Sequence, residues 1–263
     1  MIFAAGLGTR LKPFTDRHPK ALVEVGGKPM LAHVIERMKL AGIRQIVVNV
    51  HHFADQIVDF IARNRNFDIE IIISDETHRL LDTGGGLLKA ETYLRDADAI
   101  LVHNADVMTN LNLQRLIDYH LVCRPTATLS VSFRNSSRLL YFDVDNRLQG
   151  WQNLNTGETQ PGGFEILPQY RGLAFSGVQV VSPLIFPKLR EYAAGLTAVC
   201  DHDTDEAIIS ETFRRNEVAF SITPFYLSIC REYAILGNVM PEETKWFDVG
   251  RPESLAKASL AFS

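Results

Sequence analysis

AAGLGTRLKPFTDRHPKALVEVGGKPM, residues 4–30, is the stretch on which the reading of the fold turns. It follows a short apolar run, Met1 to Ala5, and sets Gly6 and Gly8 at the end of that strand. Backbone without side chains there can turn tightly and present N–H groups to an anion. Two familiar phosphate loops are excluded by spacing. The dinucleotide fingerprint needs Gly or Ala at position 11, where Leu11 stands, and Pro13 and Pro19 interrupt any helix that follows. A Walker A loop needs Gly-Lys-Ser/Thr after its spacers, and the chain has none. What remains is a long irregular loop, residues 6–21, bearing Thr9, Arg10, Lys12 and Lys20. Loops of that length inside a compact domain are usually functional or disordered, and the two prolines restrain this one.

Outward from the loop, strands and helices alternate. Pro29–Ala41 reads as a helix, with Leu31, Val34, Ile35 and Met38 at helical spacing and Gly42 as its stop. Strands are predicted at Gln45–Val50, Ile69–Ile73 and Ala99–His103, and helices at Ala54–Arg63 and Gly86–Leu94. Regular alternation implies βαβ units and a parallel sheet, and runs such as IVVNV suit burial on both faces. After about residue 125 the rhythm changes. TATLSVSF and LLYFDVDNRLQGWQN read as antiparallel strands joined around Asp145-Asn146, with a turn at QPGG (160–163) and a strand over 173–182. Helices are predicted at Pro183–Tyr192, Asp205–Arg215 and Pro252–Phe262. The expected organisation is one domain over residues 1–263, in two halves, 1–125 and 126–263.

The 263 residues are 46% hydrophobic and 22% charged, which fits an ordinary globular chain. The formal net charge of −4 argues against a protein that coats a nucleic-acid backbone, and no apolar run is long enough to span a membrane. The first residues lack a basic leader, so they do not read as a signal peptide, and the expected location is cytoplasmic. Cys123, Cys200 and Cys230 form no CxxC pair, consistent with reduced thiols. The charge is uneven: residues 1–44 carry eight Lys/Arg against three acids. A basic entry segment on an acidic protein suggests a local anion site.

Two carboxylates stand out by position. Asp106 lies just beyond the strand ending at His103, where ligand sites of open parallel sheets are found, and Asn104 shares its side if the strand continues. Seven residues separate Asp106 from the helix near Leu113, too many for a cap. Asp248, in WFDVG, follows an apolar pair and precedes a turn and helix. DTGGGLLK (82–89) places three glycines at a helix start. The adjacent His51 and His52 point to opposite faces of a strand and are not read as a metal pair, and Asp201-His202-Asp203 reads as a solvated turn. Trp151 and Tyr170 suit either a sugar face or packing.

From Gly6 to Pro29 the loop closely resembles the signature of the sugar-1-phosphate nucleotidyltransferases, GxGTRLxPxTxxxPKxLxPVxxKP, departing from it at Glu24 where that family most often has Pro. The resemblance implies a three-layer, Rossmann-like (GT-A-like) α/β fold, with a mixed, mainly parallel central sheet and an antiparallel elaboration. It implies that Ala5, Gly6, Gly8, Thr9 and Asn104 bind a nucleoside triphosphate, that Arg10 and Lys20 are catalytic, and that Gly84 and Gly85 lie against base and ribose. It further implies Mg2+ between Asp106 in NADV, where Ala105 replaces the usual Gly, and Asp248. Of the two halves, it implies that the first binds the nucleotide and that the second binds the sugar and carries the second metal carboxylate. Family members usually have a few more residues ahead of the first strand.

LDTGGGLLKA, HNADVMTN, LAFSGVQVVSPLIF and KWFDVGRPESL are most similar to the N-acetylmuramate-1-phosphate uridylyltransferase branch, which uses UTP and serves cell-wall recycling. Ser176 and Gly177 of the FSG motif are its sugar-side candidates, while Arg134 to Arg171 matches poorly. Mannose- or heptose-1-phosphate guanylyltransferases are the alternative. Of other classes, a non-catalytic nucleotide-sugar sensor commonly lacks the Arg, Lys and Asp residues present here. A cytidylyltransferase acting on an amino-alcohol phosphate needs a quaternary-amine cage that the chain does not display. Expected partners are the triphosphate and a sugar 1-phosphate, without nucleic acid or membrane.

Overall fold

The computed structural model describes residues 1–199 and 217–263. The predicted helix over 205–215, Cys200 and the Asp201-His202-Asp203 turn lie outside the described residues. In chain order the first elements are β1 (Ile2–Phe3), β2 (Glu24–Val25), β3 (Lys28–Pro29), α1 (Met30–Leu40), β4 (Gln45–Val50), α2 (Ala54–Arg63) and β5 (Glu70–Asp75). Then come α3 (Asp82–Lys89), α4 (Glu91–Leu94), β6 (Ile100–Asn104), β7 (Val107–Thr109), α5 (Leu113–Cys123), β8 (Ala127–Ser132), β9 (Arg138–Phe142), β10 (Leu148–Asn153) and β11 (Thr159–Gln160). The last are β12 (Arg171–Val181), α6 (Ile185–Val199), α7 (Ile222–Ile229), β13 (Ile235–Val239), β14 (Trp246–Asp248) and α8 (Pro252–Ala261).

Two compact units are formed. The first comprises Met1–Leu81, Val102–Arg115 and Glu242–Ser263, and the second Asp82–Leu101 and Leu116–Pro241. The chain's last segment, with Asp248, therefore joins the unit that holds the glycine loop. In the first unit β1 is flanked by β4 and β6, and β4 by β5, all parallel. The alternation expected from sequence holds, with β4 and α2 at the predicted bounds. The apolar stripe of α1, Leu31, Val34, Ile35 and Met38, is buried, as 3.6-residue periodicity requires.

In the second unit β8 pairs antiparallel with β12 and parallel with β13. β12, β9, β10 and β11 continue as antiparallel neighbours. The β9–β10 hairpin turns at Asp145-Asn146 as read from sequence, with Asn146 at φ 62°. The fold is thus mixed α/β, parallel around β1 and largely antiparallel around β12. Among the described residues no helix is long and apolar enough to cross a membrane. Cys123 and Cys230 are free thiols.

Two imidazoles are buried. His120 is hydrogen-bonded to Thr128 Oγ1 at 2.9 Å, and His103 donates from Nδ1 to the Asn104 carbonyl at 2.8 Å. Burial pulls each down to a pKa of about 4. In the unfolded chain both titrate near 6.5, so below that pH the unfolded state binds protons that the folded state refuses. Stability is expected to fall as pH drops, by about 2 kcal/mol per imidazole at pH 5, with the loss complete below the folded pKa. Urea melts of the wild type and His120→Gln at pH 7 and 5 check this: the variant should lose less on acidification, and an equal loss would exclude His120 as a source.

Candidate active site

The glycine loop leaves β1 under tight local control. The Ala4 N–H donates to Asn49 Oδ1 at 2.7 Å, and Asn49 Nδ2 donates to Glu76 Oε1 at 2.8 Å. Glu76 Oε2 accepts from the Leu81 N–H at 3.0 Å. A buried carboxylate thus ties the carboxyl ends of β1, β4 and β5 together. Gly8 sits at φ +66°, and a Cβ there would lie 2.8 Å from Thr15 Cγ2 and 3.1 Å from Lys20 Cβ, so both conformation and space demand glycine. Thr15 Oγ1 donates to the Gly8 carbonyl at 2.8 Å, closing the loop on itself. Short 3-10 turns follow at Thr9–Leu11 and Lys20–Leu22; Leu11 and Ala21 are buried anchors, while Gly6, Thr9 and Arg10 are exposed.

Gln56 of α2 holds the outer side of the loop. Its Nε2 donates to the Arg17 carbonyl at 2.9 Å and its Oε1 accepts from His18 Nδ1 at 3.0 Å. Both bonds lie just ahead of Pro19-Lys20. Gln56→Ala is expected to leave the melting temperature within about 2 °C, because exposed polar contacts contribute little stability. It should lower kcat/KM for the triphosphate on the order of tenfold through loss of loop positioning. Steady-state kinetics beside a thermal melt check it; unchanged kinetics would show that the loop needs no outer support.

The two carboxylates meet through a ladder that the sequence did not announce. β6 ends at Asn104 and the chain turns at Ala105-Asp106, so the strand does not continue through both candidates. The reason is a change of partner: Ala105 N–H still bonds the Phe3 carbonyl at 3.0 Å, but β7 pairs antiparallel with β14, with Val107 opposite Asp248. Val249 N–H then donates to the Asp106 carbonyl at 2.9 Å. The junction rests on a shared apolar cluster that includes Leu11, Val25, Met108, Val249, Leu255 and Ala258. One small core therefore carries the loop, both carboxylate segments and α8.

Each carboxylate faces a loop cation. Lys20 Nζ forms a hydrogen-bonded ion pair with Asp106 Oδ2. A Cβ built on Gly250 would be 3.0 Å from Asp248 Oδ1 and 3.3 Å from Arg10 Nη2, so these two groups flank one point. The donor set fits Mg2+: hard carboxylate oxygens in a pair, leaving the remaining positions to phosphate and water. Among the described residues no group of three or more His, Cys, Asp and Glu side chains could hold a metal by itself. His51 instead donates to the Glu76 carbonyl at 2.6 Å, and the His52 ring lies 3.9 Å from that of Phe53.

Gly84, Gly85, Ser176 and Gly177 belong to the second unit. The expected helix start at Gly86 is displaced: α3 begins at Asp82, with the three glycines inside it. The N–H groups of Gly84 and Gly85 bond the Phe220 carbonyl at 2.8 and 3.2 Å. Those amides are therefore engaged, and are not donors for a base edge in this state. A Cβ on Gly84 would lie 2.3 Å from the Phe220 ring. Ser176 is fully buried in β12, beside Gly177 at φ +73°, where the register with β8 shifts between Phe175 and Gln179. Trp151 lies half-buried in β10, and Tyr170 stacks on Phe164 at 6.0 Å.

Thr15, Gln56 and the Asn49–Glu76 pair are residues that sequence reasoning passed over. Asn49 carried a signal, as the one polar side chain within the apolar run IVVNV; nothing local marked Gln56.

With this geometry in hand, comparison with known proteins is specific. The family described as nucleotidyl transferase matches residues 1–137. An N-acetylmuramate alpha-1-phosphate uridylyltransferase of Neisseria meningitidis serogroup B is 31% identical over 195 residues, 71% of this chain and 76% of that protein. One from Caulobacter vibrioides is 44% identical over 108 residues, 40% of this chain, and the match spans 44% of that relative's length. A mannose-1-phosphate guanyltransferase of Emericella nidulans is 36% identical over 122 residues, 46% of this chain and 33% of that protein. Among solved structures, HddC from Yersinia pseudotuberculosis complexed with GMP-PN superposes with a TM-score of 0.68 at 23% identity, covering 100% of this chain and 98% of that one, which shows a shared fold.

Proposed function

The chain belongs to the nucleotidyl transferase family, and from that premise we propose that it condenses a nucleoside triphosphate with a sugar 1-phosphate to give a nucleotide sugar and pyrophosphate. The observation that carries this reading is the facing of Arg10 and Lys20 on the glycine loop with Asp106 and Asp248 across the β7–β14 ladder.

A sugar 1-phosphate already bears an anionic nucleophile, so no general base is required. Its oxygen attacks the α-phosphorus, a new P–O bond forms, and the bond to the bridging oxygen of the β-phosphate breaks with release of pyrophosphate. The obstacle is bringing one anion onto another, which positioning and charge neutralisation must overcome. The backbone of Gly6 and Gly8, with Thr9, lines the path of the triphosphate. Arg10, whose planar guanidinium suits phosphate oxygens, binds the departing pyrophosphate. Lys20 is rooted beside Gly8 and reaches both reacting phosphates. Asp106 and Asp248 are the residues that would hold Mg2+, and the ion would supply positive charge to offset that of the phosphates.

UTP and N-acetylmuramate 1-phosphate are the favoured substrates, because the relative aligned over most of both chains carries that specificity in its name. Such an enzyme acts in the cytoplasm in cell-wall recycling. The second reading, mannose 1-phosphate with GTP, rests on relatives whose similarity covers about half of this chain. Ala5 and Asn104 are assigned to the nucleotide side, and Ser176 and Gly177 to the sugar side.

The test is a matrix of UTP, GTP, CTP, dTTP and ATP against several sugar 1-phosphates with Mg2+, following pyrophosphate release. Turnover is expected to be greatest with UTP and N-acetylmuramate 1-phosphate. A maximum with GTP and mannose 1-phosphate selects the second reading, and no turnover with any pair rejects catalysis.

A further inference from the structure

One group assigned to phosphate and one assigned to the metal are partners of each other: Lys20 and Asp106. Lys20 Nζ rests on Asp106 Oδ2, with the lysine side chain 11% exposed and the aspartate 28% exposed. Arg10 Nη2 and Asp248 Oδ1 flank the same point beside Gly250. Lys20 takes an oxygen that a divalent cation at Asp106 requires. The same lysine is one that an incoming triphosphate attracts.

The lysine is built for such an exchange. Its backbone is fixed: Leu22 N–H bonds the Pro19 carbonyl at 2.9 Å and Val23 N–H bonds the Lys20 carbonyl at 3.1 Å, while its Cβ closes against Gly8. Only the flexible four-carbon stem is left to swing, carrying a compact point charge. Arg10 is similarly anchored by its buried neighbour Leu11, with its own side chain in solvent.

We propose that Lys20 keeps Asp106 closed to divalent cations until the nucleoside triphosphate draws it away, so that the metal seat is completed only together with the nucleotide. This inference rests on the metal assignment made above. It gives Lys20 two opposed roles: it excludes the cation from the empty enzyme and grips phosphate in the loaded one. By linkage, nucleotide and metal each raise the affinity for the other by the same factor. An empty site that binds free cation poorly also avoids assembling reactive charge around the sugar phosphate or water alone.

The measurement is Mn2+ binding to nucleotide-free protein, read from the free-ion signal in electron paramagnetic resonance. Lys20→Met and Lys20→Ala are expected to bind Mn2+ about tenfold more tightly than the wild type, although both lose turnover. Lys28→Met, whose lysine pairs with Glu36 instead, should bind Mn2+ as the wild type does. Adding Asp106→Asn to Lys20→Met should abolish the gain.

Unchanged or weaker Mn2+ binding in both Lys20 variants overturns the proposal and leaves the metal assignment standing, provided Asp106→Asn still lowers turnover. A gain that survives in the double variant overturns both, since the cation then sits elsewhere. If both Lys20 variants lose their cooperative melting transition, Lys20→Gln, which removes the charge while keeping a polar side chain, reads the same exchange, with tighter Mn2+ binding expected and unchanged binding decisive against it.

Discussion

Asp106→Asn is expected to lower kcat on the order of a thousandfold, equivalent to the several kcal/mol of transition-state stabilisation that a bound cation contributes in phosphoryl-transfer sites. The fold should survive. The aspartate side chain is 28% exposed and Lys20 11% exposed, and asparagine keeps an oxygen that can accept from Lys20, so the loss costs about 1–3 kcal/mol. The polypeptide contacts that fix the segment use backbone: Val249 N–H to the Asp106 carbonyl and Ala105 N–H to the Phe3 carbonyl, both retained in asparagine. Pyrophosphate release and a thermal melt on the same preparation separate the two effects. Near-normal turnover would show that Asp106 does not hold the cation, and a collapsed melt would show that it is a structural residue.

Gly84→Val carries the largest expected effect on stability. The Cβ alone would stand 2.3 Å from the Phe220 ring and 2.9 Å from its carbonyl oxygen. Overpacking of this kind costs about 1–3 kcal/mol, and pushing the Phe220 carbonyl away strands the N–H groups of Gly84 and Gly85, each worth about 1–3 kcal/mol when buried unpaired. A loss of about 3–5 kcal/mol follows, lowering Tm by roughly 10 °C for a chain of this length. Gly6→Ala is the control, since nothing lies within 4 Å of a Cβ there. Truncating the ring in Gly84→Val/Phe220→Ala should relieve part of the clash, and a double variant no more stable than additivity allows would place the strain elsewhere.

Gly84 also shows where reading the sequence goes astray. Three consecutive glycines suggest a helix start with free amides, because glycine weakens a helix interior. Here the helix runs through them: the Phe220 carbonyl takes two amides and the Phe220 ring needs the missing Cβ. A residue remote in the chain supplies what local propensity withholds. Asp106 is a milder case. Its position past the strand end was legible, but the turn at Ala105-Asp106 depends on β7 leaving the first ladder to pair with β14.

By itself the sequence determined the features that neighbours in the chain enforce on one another: the glycine loop with its cations, the β4 and α2 boundaries, the alternation that makes β1, β4 and β5 parallel, and the hairpin at Asn146. These follow from backbone freedom and side-chain periodicity, which act over a few residues. The resemblance had paired Asp106 with Asp248, and tertiary structure supplied the means, the β7–β14 register; it alone decided that Lys20 meets Asp106, that Gln56 supports the loop and that Asn49 meets Glu76. Such meetings depend on strand register and on one buried cluster holding Leu11, Met108, Val249 and Leu255 together. No local pattern encodes those contacts, because their free energy comes from surfaces that face each other only after the chain has folded.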